Sequence, residues 1–429
     1  MFKQVFSPQH IALVDCNNFY VSCERLFRPD LADKPIAVLS NNDGCIVSRS
    51  QEVKDLGIKM AVPVHQVRDL IEQHQVHLFS SNYALYADLS ARVMHSLKVF
   101  SPNVEVYSID EAFMDLDRWH LEPEKMGHEI RKSIGRWIGL PVSVGIAPTK
   151  TLAKLASHAA KKWPKTGGVV DISSEKRRRK LMQLLNVREV WGVGRQLAEK
   201  MNQHGIYTAW DLQSKRVEWI RKQFNITVAR TVQELQGTPA IAFVNKQTEK
   251  KQLICSRSFK NRISEKPELQ QVLSVFCLRT AEKLRAQKGL ARQVTVSICT
   301  SPLEKKPYSN SATYRLKSAS QDSRVLLKIT KDLLEGIFKV GCLYQKAGVT
   351  LGDIQNVQTS DTLQGDLFSS TVAEPASSAL MGMIDEINKR FSDGVKFGAV
   401  GNKKLCQTTP INHSSHYTTD WKELARVRI

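Results

Sequence analysis

The chain has 429 residues and a mass of 48.4 kDa, with 42% hydrophobic and 24% charged residues, a globular balance with material for two or more domains. Its 62 Lys and Arg against 42 Asp and Glu leave a formal net charge of +20, which calls for a polyanionic partner, either nucleic acid or an acidic surface. No apolar run approaches the ~18 residues of a membrane span, the N-terminus is too poor in apolar residues for a signal peptide, and the eight cysteines show no C-x-x-C or zinc-type spacing, so they read as reduced, mostly buried residues of a cytosolic protein.

In chain order, the first strand signal is Ile11-Ala12-Leu13-Val14, which ends in Asp15. Residues 35–48 read as two strands around an Asn42-Asp43-Gly44 turn, and Ser50 to Leu56 reads as a short helix stopped by Gly57. Leu85, Leu89, Val93 and Leu97 recur every four residues, as a buried helix stripe does. A second strand-like run, Val104 to Ile109, ends in Asp110-Glu111. Taken singly, each of these acids reads as a turn residue. Together, three carboxylates at the ends of two strands in a basic chain suggest a divalent-metal site that handles phosphates. Hard oxygen ligands suit Mg²⁺, and two such ions can activate a hydroxyl and stabilise a leaving pyrophosphate. Neighbouring strand residues point to opposite faces, so Asp110 and Glu111 can share a site only near a turn or bulge.

Val142 to Ile146 is another strand, followed by a helix from about Thr149. On that helix Lys150, Lys154, His158 and Lys161 lie within about 80° of one another, opposite Leu152, Leu155 and Ala159. One face would pack on a sheet while the other offers ammonium groups to a triphosphate or a DNA backbone, or is simply solvated. Lys176 to Lys180 marks a domain junction or a solvated helix face. Val190-Trp191-Gly192-Val193-Gly194 opens a helix through Leu197 and Met201, as in a helix-hairpin-helix whose exposed N–H groups hold a phosphate. From about 251 a strand, a helix (Val272 to Leu284), a strand (293–298) and a second helix (Ser323–Gly336) suggest a small α+β module. Residues 245–350 carry 21 Lys and Arg against 8 Asp and Glu, an excess of 13, which makes this segment the best candidate for phosphate-backbone binding. After Gly352 the composition turns to Ser, Thr, Gln and Gly until about Leu380, as a linker does, and no internal repeat emerges.

The strings Asp15-Cys16-Asn17-Asn18-Phe19-Tyr20-Val21-Ser22-Cys23-Glu24 and Tyr107-Ser108-Ile109-Asp110-Glu111-Ala112-Phe113 together resemble the Y-family translesion DNA polymerases. Pro148 to Ser157 is similar to that family's third block and Gly192-Val193-Gly194 to its thumb turn. Asn41 to Cys45 and Ser415 to Thr419 resemble the UmuC branch, the catalytic subunits of bacterial DNA polymerase V. The resemblance covers most of the chain. It implies an α+β, multidomain right hand: palm (1–30 and 79–170), small fingers (31–78), helical thumb with the helix-hairpin-helix (171–240), basic little-finger domain (245–350), and a linker with a partner-binding C-terminal tail (351–429).

The same resemblance implies that Asp15, Asp110 and Glu111, with the Cys16 carbonyl, hold two Mg²⁺ ions, and that Tyr20 is a steric gate against the ribose 2′-hydroxyl. Phe19, Tyr20, Lys54 and Lys161 would contact the deoxynucleoside triphosphate, and Lys150, Lys154, Gly192 and Gly194 the DNA. Where relatives often carry Tyr and Arg in the fingers, Gln51 and Lys54 stand here, and Lys lacks the bidentate fork of Arg. Gln364-Gly365-Asp366-Leu367-Phe368 resembles a sliding-clamp docking peptide, with Gln364, Leu367 and Phe368 as contacts. The implied activity is error-prone, template-directed synthesis past damaged bases in the SOS response. The implied partners are primer–template DNA, the clamp, a processed UmuD-like dimer and RecA, in a bacterial cytoplasm near the nucleoid and with no membrane. A polymerase IV-type enzyme and a non-catalytic DNA-binding protein on a decayed polymerase fold are the alternatives.

Overall fold

Ile11-Ala12-Leu13-Val14 opens β1 (Ile11–Cys16), which is buried along its whole length, so its apolar residues need not alternate. The computed structural model describes residues 10–117, 122–244, 249–356, 375–391, 394–401 and 411–424. They fall into two units, the first Met1–Gln247 with Pro410–Ile429 and the second Thr248–Thr409.

After β1 the first unit runs α1 (Phe19–Leu26), β2 (Ile36–Leu39), β3 (Ile46–Arg49), α2 (Gln51–Asp55), α3 (Arg68–Gln73), β4 (His77–Ser80), α4 (Tyr83–Leu97), β5 (Val104–Val106), β6 (Glu111–Asp115), α5 (Pro123–Ile138), β7 (Val142–Ala147), α6 (Lys150–Lys162) and β8 (Val169–Asp171). Five of these strands form one sheet in the order β5-β6-β1-β7-β8. β1 pairs antiparallel with both neighbours, and the register sets Asp15 opposite Glu111 on one side and Ser143 on the other.

The two faces of β1 serve different cores. Ala12, Val14 and Cys16 join Leu85, Leu89 and Val93 of α4 and Ile130 and Ile134 of α5. Ile11 and Leu13 join Leu152, Leu155 and Ala156 of α6. Side chains alternate along a strand, so Asp15 shares the face of Leu13 and looks toward α6. That helix lies directly on the backbone of β7. A Cβ added at Gly145 would stand 2.1 Å from the Ser157 nitrogen and 2.3 Å from the Ala153 oxygen.

The expected turn at Asn42-Asp43-Gly44 joins β2 to β3, with Asp43 in the left-handed region at φ 52°. A three-stranded sheet, β3-β2-β4, encloses a small core of Leu39, Ile46, Val53, Ile58 and Ile71. Gly57, at φ 76°, ends the helical turn as read from the sequence. Helices α7 (Glu175–Leu184), α8 (Arg195–Gln203), α9 (Ala209–Gln213), α10 (Val217–Gln223) and α11 (Ile226–Leu235) follow in the same unit. The run from Lys176 to Lys180 lies on α7, where Arg179 sits 5.0 Å from the Trp210 ring.

The second unit contains β9 (Leu253–Ile263), α12 (Lys266–Ala286), β10 (Gly289–Thr300), β11 (Ser309–Ser320), α13 (Ser323–Ile337) and β12 (Tyr344–Asn356), with strand order β11-β10-β12-β9. Ala291, Val294, Val296 and Ile298 turn inward with Val272, Phe276 and Leu326 of the two helices. Two of these strands differ from the sequence reading. β11 has no apolar alternation because it is an edge strand on which only Leu316 is buried. β12 carries the chain to Asn356, so the linker read as starting after Gly352 begins later. Gly348 on β12 is a packing site, since a Cβ there would meet the Ser256 Cβ at 2.6 Å. A further helix, Pro375–Arg390, is tied to α12 by a two-bond fork from Arg285 to Asp385 at 2.6 and 2.7 Å. Gln364, Leu367 and Phe368 lie outside the described residues.

Candidate active site

The acids meet where β1 ends and the β5–β6 hairpin turns. Tyr107 and Ser108 both donate their N–H groups to the Glu111 carbonyl, at 3.0 and 3.1 Å, closing a tight turn with Asp110 at its end. The Asp110 carbonyl accepts from the Cys16 N–H at 2.9 Å, which ties the turn to β1. Ser108 organises the loop further. Its hydroxyl donates to Asp110 Oδ1 at 2.6 Å and accepts from the Glu111 N–H at 3.0 Å. The turn that lets neighbouring acids share a neighbourhood is therefore present.

Asp15 and Glu111 face each other across the β1–β6 register, close enough for each carboxyl to act on the other's titration. Burial pushes Asp15 up to about 7 against the pull of Lys161. Burial also works to raise Glu111, but the Asp15 carboxyl and the Lys154 ammonium outweigh it and hold Glu111 below the usual carboxylate range. Lys161 pairs with Asp15 Oδ2, and Lys154 reaches Glu111 Oε2 at 2.6 Å while lying 4.5 Å from the Tyr107 ring centre. Among the described residues no three His, Cys, Asp or Glu side chains converge as a ready metal cage, because Asp110 is turned to Ser108. The donors nevertheless fit a hard divalent cation. Asp15 Oδ1 is buried without a hydrogen-bond partner, with a second carboxylate opposite it and a third in the adjoining turn.

Around this point lie most of the other expected residues. Asn18 takes a left-handed conformation at φ 47° and its Oδ1 accepts from Lys54 Nζ at 2.7 Å. Burial and the nearby Arg49 and Lys161 charges push Lys54 down, so three cations share this corner. Arg49 was missed in the sequence reading. It ends β3, and its Nε is buried without a partner among the described residues. A basic residue closing β3 was the available signal. Tyr20 is half-buried, stacked on Tyr86 at 4.4 Å and 15° and edge-on to Tyr83 at 6.1 Å.

Two expected residues, Lys150 and Phe19, lie differently from the sequence reading. Lys150 is only 2% exposed. Its ammonium binds Glu105 Oε2 at 2.5 Å and the Ala242 carbonyl at 2.7 Å, so it offers nothing to a DNA backbone. The basic face of α6 is thus largely spent on internal acids. Phe19 is 4% exposed and packs in the core, leaving its side chain no access to a nucleotide. Gln51 bonds to Asp55 at 2.8 Å on the surface. Cys16 is a buried strand-end residue whose thiol burial pushes up. The Gly192 turn (φ 86°) precedes α8, and Gly194 caps that helix without a side-chain bond.

Two solved structures share this fold. A Y-family DNA polymerase chimera matches with a TM-score of 0.65 and 21% identity over 81% of this chain and 99% of its own. An insertion ternary complex of Dbh DNA polymerase matches at 0.55 and 20% identity over the same shares. The chain belongs to the impB/mucB/samB family, whose model matches residues 14–158 and whose C-terminal domain matches 250–367. A domain of unknown function matches 378–427. Protein ImpB of Salmonella typhimurium is 44% identical over 97% of this chain and 99% of its own length. Protein UmuC of the same species is 42% identical over 97% and 100%. DNA polymerase IV of Oceanobacillus iheyensis is 24% identical over 89% of each, so the UmuC side of the family is the nearer one. No helix among the described residues is long and apolar enough to cross a membrane.

Proposed function

We infer that this chain is a DNA-directed DNA polymerase of the Y family, an error-prone enzyme that copies past damaged bases in the SOS response. The observation that carries the reading is the Asp15–Glu111 pair, set opposite by strand register beside the Asp110 turn, with an unsatisfied buried oxygen and the Lys54–Lys161 corner next to it. In this reading the five-stranded sheet is the palm, the β3-β2-β4 sheet the fingers, α7 to α11 the thumb and the basic 245–350 segment, with its sheet of β9 to β12, the little finger. Asp15, Asp110 and Glu111 would hold two Mg²⁺ ions, which when bound supply charge stabilisation and a lowered hydroxyl pKa. Lys54, Lys161 and Arg49 bind and orient the triphosphate. The basic 245–350 segment and the Gly192–Gly194 turn take the phosphates of primer–template DNA. Primer extension across an abasic template with Mg²⁺, with and without a processed UmuD-like dimer and RecA, tests the whole reading. No extension in any mixture would leave a DNA-binding protein on a decayed fold. The setting we propose is the bacterial cytoplasm, at the nucleoid.

Tyr20 is the proposed wall against the 2′-hydroxyl. Tyr20→Ala is expected to admit ribonucleotides while deoxynucleotide incorporation survives. Extension with each triphosphate set measures this, and unchanged sugar selectivity would remove Tyr20 from the site.

The 364–368 peptide is proposed to dock on the sliding clamp. Replacing Leu367 and Phe368 with Ala should abolish clamp-stimulated extension length and spare basal extension, because the clamp acts through tethering. Equal stimulation of the variant and the parent would return the peptide to ordinary linker.

A further inference from the structure

Residues 411–424 belong to the first unit, where they follow a line of buried polar groups that leads to Tyr20. The Ser80 N–H donates to the Asn412 carbonyl at 2.8 Å, and the Asn412 N–H returns a bond to Ser80 Oγ at 3.1 Å. Asn82, 1% exposed, caps α4 through its Oδ1. Its Nδ2 donates to Ser414 Oγ at 2.9 Å and to the Ser415 carbonyl at 3.1 Å. The Ser414 hydroxyl then donates to Glu24 Oε1 at 3.1 Å, and the Tyr86 hydroxyl donates to the same oxygen at 2.6 Å. Glu24 is fully buried, and its Oε2 has no hydrogen-bond partner among the described residues. Tyr86 is the ring on which Tyr20 stacks. One turn along from Glu24, Tyr417 lies flat on Phe27 at 4.6 Å and 5°.

We propose that the C-terminal tail is a positioning element for sugar selection: Ser414 holds Glu24, Glu24 holds the Tyr86 hydroxyl, and the Tyr86 ring sets the height and tilt of Tyr20. The inference rests on Tyr20 being the gate. Burial pushes the Glu24 carboxyl up, and both donors converge on one of its oxygens, so each bond offsets part of the cost of burying that polar group. Loss of either donor lets the carboxylate swing toward the other, and the stacked rings move with it. The sugar wall needs its ring placed to a fraction of an ångström, since a 1 Å misplacement can cost about 10²-fold. The tail thus reaches the site from nearly 400 positions away in sequence, through Glu24 and Tyr86 and without touching the nucleotide.

The test measures kcat/KM for deoxynucleotides over ribonucleotides in the full-length chain on one primer–template. Ser414→Ala and Tyr86→Phe are each expected to lower that ratio by roughly five- to tenfold, below the ~10²-fold of a full ångström. Tyr86→Phe keeps the buried ring, so it reports on the hydroxyl rather than on folding. In a Tyr20→Ala background, Ser414→Ala should add nothing, because residues acting through one group are not additive. A wild-type ratio in both single variants, with Tyr20→Ala relaxed, overturns the tail inference and leaves the gate standing. So does a full Ser414→Ala effect in the Tyr20→Ala background. An unchanged ratio in Tyr20→Ala itself overturns the gate, and the tail's role with it.

Discussion

Asp110→Asn is expected to lower nucleotidyl transfer by about 10³-fold or more while leaving the fold and DNA affinity near those of the parent. The substituted amide keeps an oxygen for the Ser108 hydroxyl, and the main-chain bond from the Cys16 N–H to residue 110 is untouched. What disappears is a negative ligand charge. Metal charge stabilisation supplies several kcal/mol of barrier lowering, and each ~1.4 kcal/mol is a factor of ten in rate. Single-turnover incorporation gives the rate, and a DNA titration on the same preparation gives the affinity. Transfer at the parental rate would show that the turn acid is not part of the site.

Lys150→Met is expected to cost about 3–5 kcal/mol of stability, the usual penalty for removing one partner of a buried ion pair. Among the described residues Glu105 keeps the Val244 N–H, at 2.6 Å, as its side-chain partner, and the Ala242 carbonyl loses the Lys150 donor. Denaturant unfolding reads the loss. Adding Glu105→Gln should recover part of it, since the amide no longer buries an uncompensated charge. The salt dependence of DNA binding should not move in the variant that remains folded. A slope shallower by about 0.9 would mean that Lys150 neutralises a phosphate after all.

These two residues also show what could and could not be read from the sequence. Asp15 was legible because an apolar run that stops at an acid marks a strand end, whereas the Val104–Ile109 run is a strand only to Val106, so Asp110 lies in a turn and Glu111 opens the next strand. Lys150 was not legible. A helical wheel fixes the angle at which a side chain leaves the axis but not what stands opposite, and Glu105 comes from β5, 45 positions earlier. The helices α4 and α6 were legible from period alone, whereas β11 was hidden because an edge strand open to water has no reason to alternate. The tail's path was equally hidden. It is set by the buried amide of Asn82 and the carboxylate of Glu24, neither of which announces a partner more than 300 residues away.

The division of β1 between two cores bears on how this gene tolerates change. Ile11 and Leu13 serve one core and Ala12 and Val14 the other, with Asp15 next in the series. Conservative swaps within either set keep the alternation and should be absorbed by repacking. An in-frame loss or gain of one codon anywhere in Ile11–Val14 inverts it. Either the residues before the change exchange faces or, where the slip falls on the downstream side, Asp15 turns from α6 and Lys161 into the apolar side chains of α4 and α5. The strand has no graded path between those states. Length variation among functional descendants of this chain should therefore collect in the loops that flank β1 and be absent from its first four residues, a pattern that a library of single-codon deletions selected for DNA synthesis would reveal.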